Sequence, residues 1–351
     1  MLMEDRILFA HGAGGTLMQE LIKSCILKYL GGSSAEVPLE ALDDAAVIDG
    51  IVLKSDSHTV KPLFFPGGDI GRLAVSGTVN DIAVLGAEPL ALAAGFIIEE
   101  GFPVSDLEKI LASMRDTCIE AGVYVITGDT KVVEQSALDK LVINTSGVGR
   151  RSSLLDHNIQ VVKKYREFKA RWLLDSNIRP GDKIIVSGTI GDHGVALLSF
   201  REGYGFESEV VSDVAPLNKM IARVLEVGGV VAMKDPTRGG LSNALNEWAE
   251  KSHVGILVYE DKIPIRPAVR AASEMLGIDP LEVGNEGKVV VAVVPEMAEE
   301  VLGAMRETRE GRNAEIIGEA TSEFSGVVLE TSVGGRRVLP PPLGDPVPRI
   351  C

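Results

Sequence analysis

The sequence has few cysteines, and its basic residues are outnumbered by acidic ones. Three cysteines among 351 residues cannot build a disulfide framework, which predicts a reducing compartment, the cytoplasm. The chain has 35 Lys and Arg residues against 50 Asp and Glu residues, so its net charge is −15. We expect no nucleic-acid partner, because the excess of basic side chains that neutralises phosphates is missing. A small anionic ligand, held by local amides or metal ions, stays compatible with this charge.

Long apolar runs are also missing. The most apolar stretch, residues 83–98, is interrupted by Glu88 and Pro89, so we predict no membrane-spanning segment. The first residues lack a basic region followed by an apolar one, so we expect no signal peptide. The hydrophobic share of 45% and the charged share of 24% are typical of globular proteins. At about 150 residues per domain, the length predicts two domains.

Strand and helix signals alternate along the chain, which predicts an α+β (mixed α/β) fold. Asp49-Gly50 lies between two apolar runs and predicts a hairpin over residues 44–55. A capping box at residues 105–108 predicts a helix that ends near Gly122. Further strands are predicted at 123–126, 141–148, 183–187 and 289–294, helices at 194–201, 216–227, 240–251, 267–276 and 296–306, and a hairpin over 327–338.

Changes in composition predict the domain boundaries. We expect a first domain at residues 1–150, a second at 180–338, a connection at 151–179 and a tail at 339–351. Residues 150–179 hold eight basic and three acidic residues, which indicates a solvated linker or crossover helix, with a docking surface as the alternative. The tail has five prolines in 13 residues, so it should join no helix or sheet. It would form a flexible arm with a reach of roughly 40 Å and a thiol at its tip.

Two segments are rich in glycine, at residues 11–15 and 284–288. Gly12, Gly14 and Gly15 precede apolar residues at helical spacing, so their N–H groups would lie where phosphate binds well. Neither segment has the spacing of a dinucleotide-binding or P-loop motif. A plain tight turn is the alternative interpretation of each.

Several aspartates stand at strand ends or beside turn residues, where side chains can converge at one edge of a sheet. Mg²⁺ prefers oxygen ligands and usually binds one or two carboxylates together with substrate phosphates. The aspartates therefore predict a magnesium–nucleotide site, although a turn or N-cap role is the alternative for any single one. They are Asp43, Asp44, Asp56, Asp81, Asp129 and Asp235.

A series of motifs, in order along the whole chain, resembles the HypE family of hydrogenase maturation proteins. The terminal Pro-Arg-Ile-Cys is the most specific of them. The wider superfamily includes aminoimidazole ribonucleotide synthetase and thiamine monophosphate kinase, which share the aspartates but would not account for the cysteine tail. The motifs lie at residues 55–71, 77–83, 86–89, 128–132, 191–194, 235–240, 284–288 and 348–351.

The resemblance implies a PurM-like two-domain fold, with an N-terminal ATP-binding domain that forms a homodimer, a C-terminal α/β domain and a flexible tail. It implies that a HypF-type carbamoyltransferase loads a carbamoyl group onto Cys351. ATP then drives dehydration of that group to a thiocyanate, and the cyanide passes to iron held by a HypC–HypD complex, for a [NiFe]-hydrogenase.

The resemblance also implies roles for individual residues. Cys351 would be the carrier, Glu286 the base that removes a carbamoyl proton, and Lys131 a cation for the γ-phosphate. The Mg²⁺ ligands would be Asp44, Asp56, Asp81 and Asp235. The nucleotide would be bound by Gly12, Gly14, Gly15, Asp43, Thr78, Asn80, Gly128 and Asp129.

Two other functions stay open at this point: a small-molecule kinase or synthetase on the same scaffold, and a non-catalytic cysteine carrier. We expect Cys25 and Cys118 to be core thiols, since they lie on apolar helical faces. Three histidines in motifs are expected to pack or form hydrogen bonds, because none pairs with another His or Cys at metal-ligand spacing. These are His11, His58 and His193.

Overall fold

Each half of the chain contributes one large β-sheet. The structure is a computed structural model, and it describes residues 6–12, 14–203, 210–344, 346–347 and 349–351. The described residues form a five-stranded sheet in the first half and a seven-stranded sheet in the second. No helix among these residues is long and apolar enough to cross a membrane.

The first sheet has the strand order β1-β2-β7-β5-β6 and is antiparallel except for the pair β5–β6. The short strands β3 and β4 pair separately. The strands are β1 (Ala46–Ile48), β2 (Ile51–His58), β3 (Phe64–Phe65), β4 (Gly68–Asp69), β5 (Ala87–Glu99), β6 (Tyr124–Val133) and β7 (Leu141–Arg151), and the helices are α1 (Gly15–Leu21), α2 (Leu27–Leu30), α3 (Ile70–Val84) and α4 (Val104–Ala121).

Helix α3 packs against β2, β5 and β7 and is buried almost throughout. Its residues are mainly small or apolar, so it can be covered on all sides. The Asp69 carboxylate caps it by accepting the N–H groups of Gly71 and Arg72. This packing fixes the position of Asp81, near the C-terminal end of the helix.

Three local predictions in this half had different outcomes. The hairpin is confirmed, because Asp49 and Gly50 have φ of 51° and 75°, as a type I′ turn requires. The predicted capping box is wrong. Helix α4 begins after Pro103 with no side-chain cap, and the Pro103 carbonyl accepts the N–H groups of Asp106 and Leu107. Gly122, with φ of 78°, ends the helix as predicted.

The second sheet has the order β14-β13-β10-β12-β8-β11-β9, and β11 and β9, at one end of that order, are fully buried. Strands β9, β10 and β12 of this half were not predicted, and neither were β5 and α3 of the first half. The strands and helices that were predicted in the second half occur within a few residues of their expected bounds. Its strands are β8 (Lys183–Val186), β9 (Val230–Lys234), β10 (Gly255–Tyr259), β11 (Val290–Val293), β12 (Glu315–Thr321), β13 (Gly326–Glu330) and β14 (Arg336–Val338), and its helices are α5 (Ser153–Tyr165), α6 (Asp192–Glu202), α7 (Asn218–Val227), α8 (Gly240–Ser252), α9 (Pro267–Leu276) and α10 (Ala298–Arg306).

The connection between the halves is a packed crossover helix rather than a solvated linker. Helix α5 buries Leu155, Ile159 and Val162 at helical spacing, while its lysines face outward. Beyond it, Trp172 and Leu173 are also buried. The basic residues of this segment therefore form the solvated face of an amphipathic element.

The C-terminal tail, residues 339–351, lies against the protein. Val347 and Ile350 are buried, and the N–H groups of Thr59 and Lys61 donate to the main-chain oxygens of Cys351 and Arg349. The described residues of the tail form no helix or strand. In this structure the arm is folded inward.

Candidate active site

A cleft of about 390 Å³ lies between the two halves, and both halves and the tail line it. Strand β2 contributes alternate residues to it, α3 contributes Asp81, and the segment that follows β9 contributes a run of side chains. The lining includes Lys54, Asp56, Asp81, Asp235, Arg238, Glu286 and Cys351.

Three of the four aspartates predicted as metal ligands come together in this cleft. Asp44, Asp81 and Asp235 each place one carboxylate oxygen within 4.8 Å of the others. Burial, followed by mutual repulsion, raises the pKa of Asp235 well above its ordinary range, and burial raises the pKa of Asp81 to about 7. The pKa of Asp44 is raised as well, mainly by burial. A buried set of three converging carboxylate oxygens fits Mg²⁺.

Asp56 lines the same cleft but lies outside this three-aspartate cluster. Its carboxylate is 3.7 Å from Nε2 of His58. Burial opposes its negative charge, yet the nearby His58, Lys54 and Arg238 lower its pKa overall. Asp56 is not one of the three aspartates whose carboxylate oxygens lie within 4.8 Å of one another.

Several cations of the cleft were not predicted from the sequence, among them Lys54, Lys234 and Arg238. Lys54 lies 2.9 Å from Asp81, and Lys234 lies 2.8 Å from Asp44. Arg238 is also in the cleft, and the negative charge at Cys351 is the main cause of its raised pKa. The available signal for Lys54 was the alternation of side chains along a strand, which places Lys54 on the same face of β2 as Asp56.

Glu286 is buried beside the cluster, and its Oε1 atom has no hydrogen-bond partner. Burial and the nearby Asp235 raise its pKa well above the ordinary range for glutamate. Its own N–H donates to the Asp213 carboxylate at 3.1 Å. The Asn285 side chain accepts the Gly191 N–H at 2.8 Å and donates to the Pro236 carbonyl at 3.2 Å. The loop is thus held rigidly while the carboxyl of Glu286 keeps an unused oxygen.

The first glycine-rich segment contacts the tail. Gly14 and Gly15 line the cleft, with φ of 80° and 67°, and Gly12 does not. A Cβ on Gly15 would come within 2.2 Å of the Pro342 carbonyl oxygen, and the Thr16 N–H donates to that oxygen at 3.4 Å. The loop therefore needs glycine because the tail passes close to it.

Thr78 and Asn80 are buried away from the cleft. The Thr78 hydroxyl is 2.6 Å from that of Thr145, and the Asn80 side chain donates to the Ala215 carbonyl and accepts the Leu217 N–H. Both join α3 to neighbouring segments. Asp43 does line the cleft, where its carboxylate accepts the Asp175 N–H at 3.0 Å and burial raises its pKa to about 6.

Gly128, Asp129 and Lys131 lie on the edge strand β6, outside this cleft. The Lys131 ammonium and the Asp129 carboxylate are 3.4 Å apart, and both side chains are 70% exposed. A Cβ on Gly128 would come within 2.0 Å of the Ala94 carbonyl oxygen, which accounts for glycine there. The chain by itself brings none of these three residues to the aspartates.

Two family models match the chain: AIR synthase related protein, N-terminal domain, over residues 42–151, and its C-terminal domain over residues 179–329. A relative from Methanocaldococcus jannaschii, named as a hydrogenase expression/formation protein, is 54% identical over 348 residues, which are 97% of this chain and 98% of the relative. The carbamoyl dehydratase HypE of Bradyrhizobium diazoefficiens is 46% identical over 349 residues, 97% of this chain and 95% of that protein.

The chain belongs to the HypE family, within the AIR synthase-related proteins.

Solved HypE structures share the fold. One in a HypE–HypF complex is 44% identical, has a TM-score of 0.83, and covers 92% of this chain and 99% of its own. Another, in complex with ATP, is 41% identical with a TM-score of 0.79, and covers 99% of this chain and 100% of its own. The predicted HypE resemblance and the PurM-like two-domain fold are therefore confirmed.

Proposed function

We propose that this HypE-family chain is an ATP-dependent carbamoyl dehydratase that acts on its own Cys351. A relative of which this chain covers 95% carries that name, and a HypE has been solved with ATP. The observation that carries the proposal is the location of Cys351, which lines the same cleft as the three-aspartate cluster and Glu286.

The chemistry requires an amide oxygen to leave. Hydroxide is a poor leaving group. ATP therefore first transfers its γ-phosphoryl group to the oxygen of the carbamoyl group that the Cys351 sulfur carries. Breaking the C–O bond then releases phosphate, and loss of the two N–H protons leaves a thiocyanate. In total, thiocarbamate and ATP give thiocyanate, ADP and phosphate.

Glu286 is the proposed base for an N–H proton. Its buried carboxyl has an oxygen without a partner, and its raised pKa makes its carboxylate a stronger base than an exposed glutamate. Its position in the cleft supports contact with a group carried by Cys351.

Asp44, Asp81 and Asp235 are the proposed Mg²⁺ ligands, and Asp56 lies beside them. Bound Mg²⁺ supplies charge neutralisation and orientation for a triphosphate. Lys54 and Arg238 add fixed positive charge to the same cleft, which supports binding of an anionic nucleotide there. The amides of Gly14 and Gly15 are proposed to contact phosphate when the tail is elsewhere.

We also propose a homodimer through the first sheet. Every residue of β6 except its last is exposed, including the large apolar side chains of Tyr124, Ile126 and Val132. An uncovered apolar edge strand of this length is a strong candidate for pairing with another chain. A second copy at β6 would bring a protein surface to Lys131 and Asp129, and so supports their role at the nucleotide of a dimer.

The partners follow from the chemistry of the tail. A HypF-type carbamoyltransferase would load Cys351, in line with the solved HypE–HypF complex. A HypC–HypD complex would accept the cyanide. Loading requires the arm to leave the cleft, because Ile350, next to Cys351, is buried in the inward position.

The three cysteines form no disulfide, which supports a cytoplasmic location.

The test is mass spectrometry of the C-terminal peptide after incubation with HypF, carbamoyl phosphate and ATP. We expect carbamoylation of Cys351 followed by loss of water only when ATP is present. Cys351→Ala should abolish both changes, whereas Cys25→Ala, at the other partly exposed cysteine, should leave them intact. A carbamoylated peptide that never loses water would indicate a carrier and overturn the proposal.

A further inference from the structure

The last residues of the tail are held through their main-chain oxygens. The Arg349 oxygen accepts the Lys61 N–H at 3.1 Å, and the Cys351 oxygen accepts the Thr59 N–H at 3.0 Å. Between them, the Ile350 carbonyl oxygen lies 2.7 Å from Nε2 of His193. A buried side chain on α6 thus contacts the residue next to the reacting thiol.

The hydrogen bonds around His193 define which of its nitrogens donates. Nδ1 is 2.7 Å from the Ser212 hydroxyl, and that hydroxyl oxygen already accepts the Val214 N–H at 3.1 Å. A carbonyl oxygen can only accept, so Nε2 bears the N–H and donates to Ile350, and in the neutral ring Nδ1 accepts the Ser212 hydroxyl proton. Complete burial lowers the pKa of His193 and so favours the neutral ring. The ring of Phe65 packs edge-on at 5.5 Å.

The same segment also holds the proposed base. Asp213, next to Ser212, accepts the Glu286 N–H at 3.1 Å and pairs with the Lys288 ammonium at 3.0 Å. Two adjacent residues thus contact both groups of the proposed reaction. Ser212 is linked to the arm through His193, and Asp213 accepts the N–H of the proposed base, Glu286. A displacement of the arm relative to Glu286 must break this arrangement at the contact between His193 and Ile350.

We propose that His193, oriented by Ser212, is a positioning residue that holds the arm inward so that Cys351 meets Glu286 and the aspartates. The effect of this positioning on catalysis rests on the proposed dehydratase function. The contact itself is independent of that function. His193 contacts the main chain of the arm, at the Ile350 carbonyl, so it would act by positioning the arm.

The first experiment measures the docking of the arm without any nucleotide or partner. In His193→Phe the donor is lost while the ring shape stays, and a typical buried hydrogen bond predicts a roughly fivefold rise in the alkylation rate of Cys351 by iodoacetamide. His193→Gln places an amide N–H near the position of Nε2 and should restore a rate within about twofold of the wild type. The rates are followed on the C-terminal peptide by mass spectrometry.

Cys118, which is buried in the first half, reports on the integrity of the fold in the same digests. Unchanged alkylation of Cys351 in His193→Phe, with Cys118 still protected, would overturn the inference. Where Cys118 loses protection in that variant, Ser212→Ala replaces it, because removing the hydroxyl frees the imidazole to rotate. That variant should also speed Cys351 alkylation, and an unchanged rate would again overturn the inference.

The second experiment follows one turnover of carbamoylated protein. We expect His193→Phe to slow dehydration about fivefold or more while loading by HypF is equal or faster, since the arm spends more time outside. A merely structural defect would slow both steps, and His193→Gln would not rescue it. If wild-type protein does not dehydrate at all, the proposed function fails while the alkylation result still decides the role of His193.

Discussion

At the residue scale, the three-aspartate cluster determines how the site responds to pH. The metal-free protein has Asp81 with a pKa raised to about 7, against an ordinary value of 3.8. Between these two values the folded protein holds a proton that the unfolded chain has lost. The contribution of Asp81 to the stability of the metal-free protein should therefore fall as pH rises from about 4 to about 7.

Binding of Mg²⁺ must displace that proton, so we predict that Mg²⁺ affinity is roughly tenfold or more higher at about pH 8 than at about pH 6. Isothermal titration in two buffers of different ionisation enthalpy measures both the affinity and the protons released. Asp81→Asn should bind Mg²⁺ weakly and release fewer protons at the lower pH. Equal affinity at the two pH values would contradict this assignment of the site.

Glu286 allows a second test at this scale. Glu286→Gln keeps the size of the side chain but removes the base, so dehydration of carbamoylated Cys351 should slow by about 100-fold or more. Carbamoyl loading and ATP binding should stay unchanged. Glu282→Gln, in the same region but outside the cleft lining, is the matched control. If Glu286→Gln dehydrates at the wild-type rate in quenched single-turnover assays, another group must be the base.

The site residues differ in how well the sequence could predict them. Asp235 follows strand β9 as predicted, whereas the predicted strand-end or turn positions were wrong for Asp81, which lies in helix α3, and for Asp56, which lies within strand β2. The contacts of Asn80 could not be predicted, because a helix rotates about 100° per residue, so the residue before Asp81 faces another segment. Thr78 lies nearly one turn before Asp81, but its hydroxyl contacts that of Thr145, which is distant in sequence. His193 could be expected only to pack or form a hydrogen bond, since its partner, Ile350, is distant in sequence.

At the scale of elements, β6 is the exposed edge strand that the proposed homodimer would cover. Ile126 is 69% exposed, so Ile126→Lys should cost little stability in one chain but place charge at the proposed dimer surface. We predict that the wild type sediments as a dimer and the variant as a monomer. Val104→Lys changes an apolar residue of similar exposure, 70%, on α4 and should stay dimeric. A wild type that is monomeric at tens of micromolar would contradict the proposal.

The tail has a second attachment, at Asp139 in the loop before β7. Its carboxylate lies 2.8 Å from the Arg349 guanidinium and 3.0 Å from the Lys61 ammonium, and these two cations lower its pKa. Pairs that are partly exposed contribute about 1 kcal/mol or less. Asp139→Asn should therefore speed Cys351 alkylation less than His193→Phe does. A larger effect than that of His193→Phe would show that the exposed pair dominates docking.

Element boundaries show where sequence patterns are weak. The hairpin at Asp49-Gly50 was predictable because its turn requires positive φ at both residues. The start of α4 was not, because Pro103 and backbone hydrogen bonds set it ahead of the apparent capping box at residues 105–108. Strand β5 is the longest of the first sheet, yet its small residues and Pro89 gave no alternation to detect.

At the scale of the whole molecule, both sheets and the tail are needed to complete the cleft. Asp81 comes from the first half, Asp235 from the second, and Cys351 from the end of the chain. Family motifs in the sequence predicted that these residues act together. Neither the inward path of the tail nor its contact with His193 could be predicted, because both depend on packing between segments far apart in sequence.

The most direct measurement of the central claim follows the carbamoyl oxygen. Cys351 is loaded with a carbamoyl group labelled with oxygen-18, ATP is added, and the released phosphate is analysed by mass spectrometry. We expect one labelled oxygen in the phosphate for each thiocyanate formed, because the γ-phosphoryl group is transferred to that oxygen before it leaves. Thiocyanate formation with unlabelled phosphate, or ATP hydrolysis without thiocyanate, would contradict the proposed dehydration.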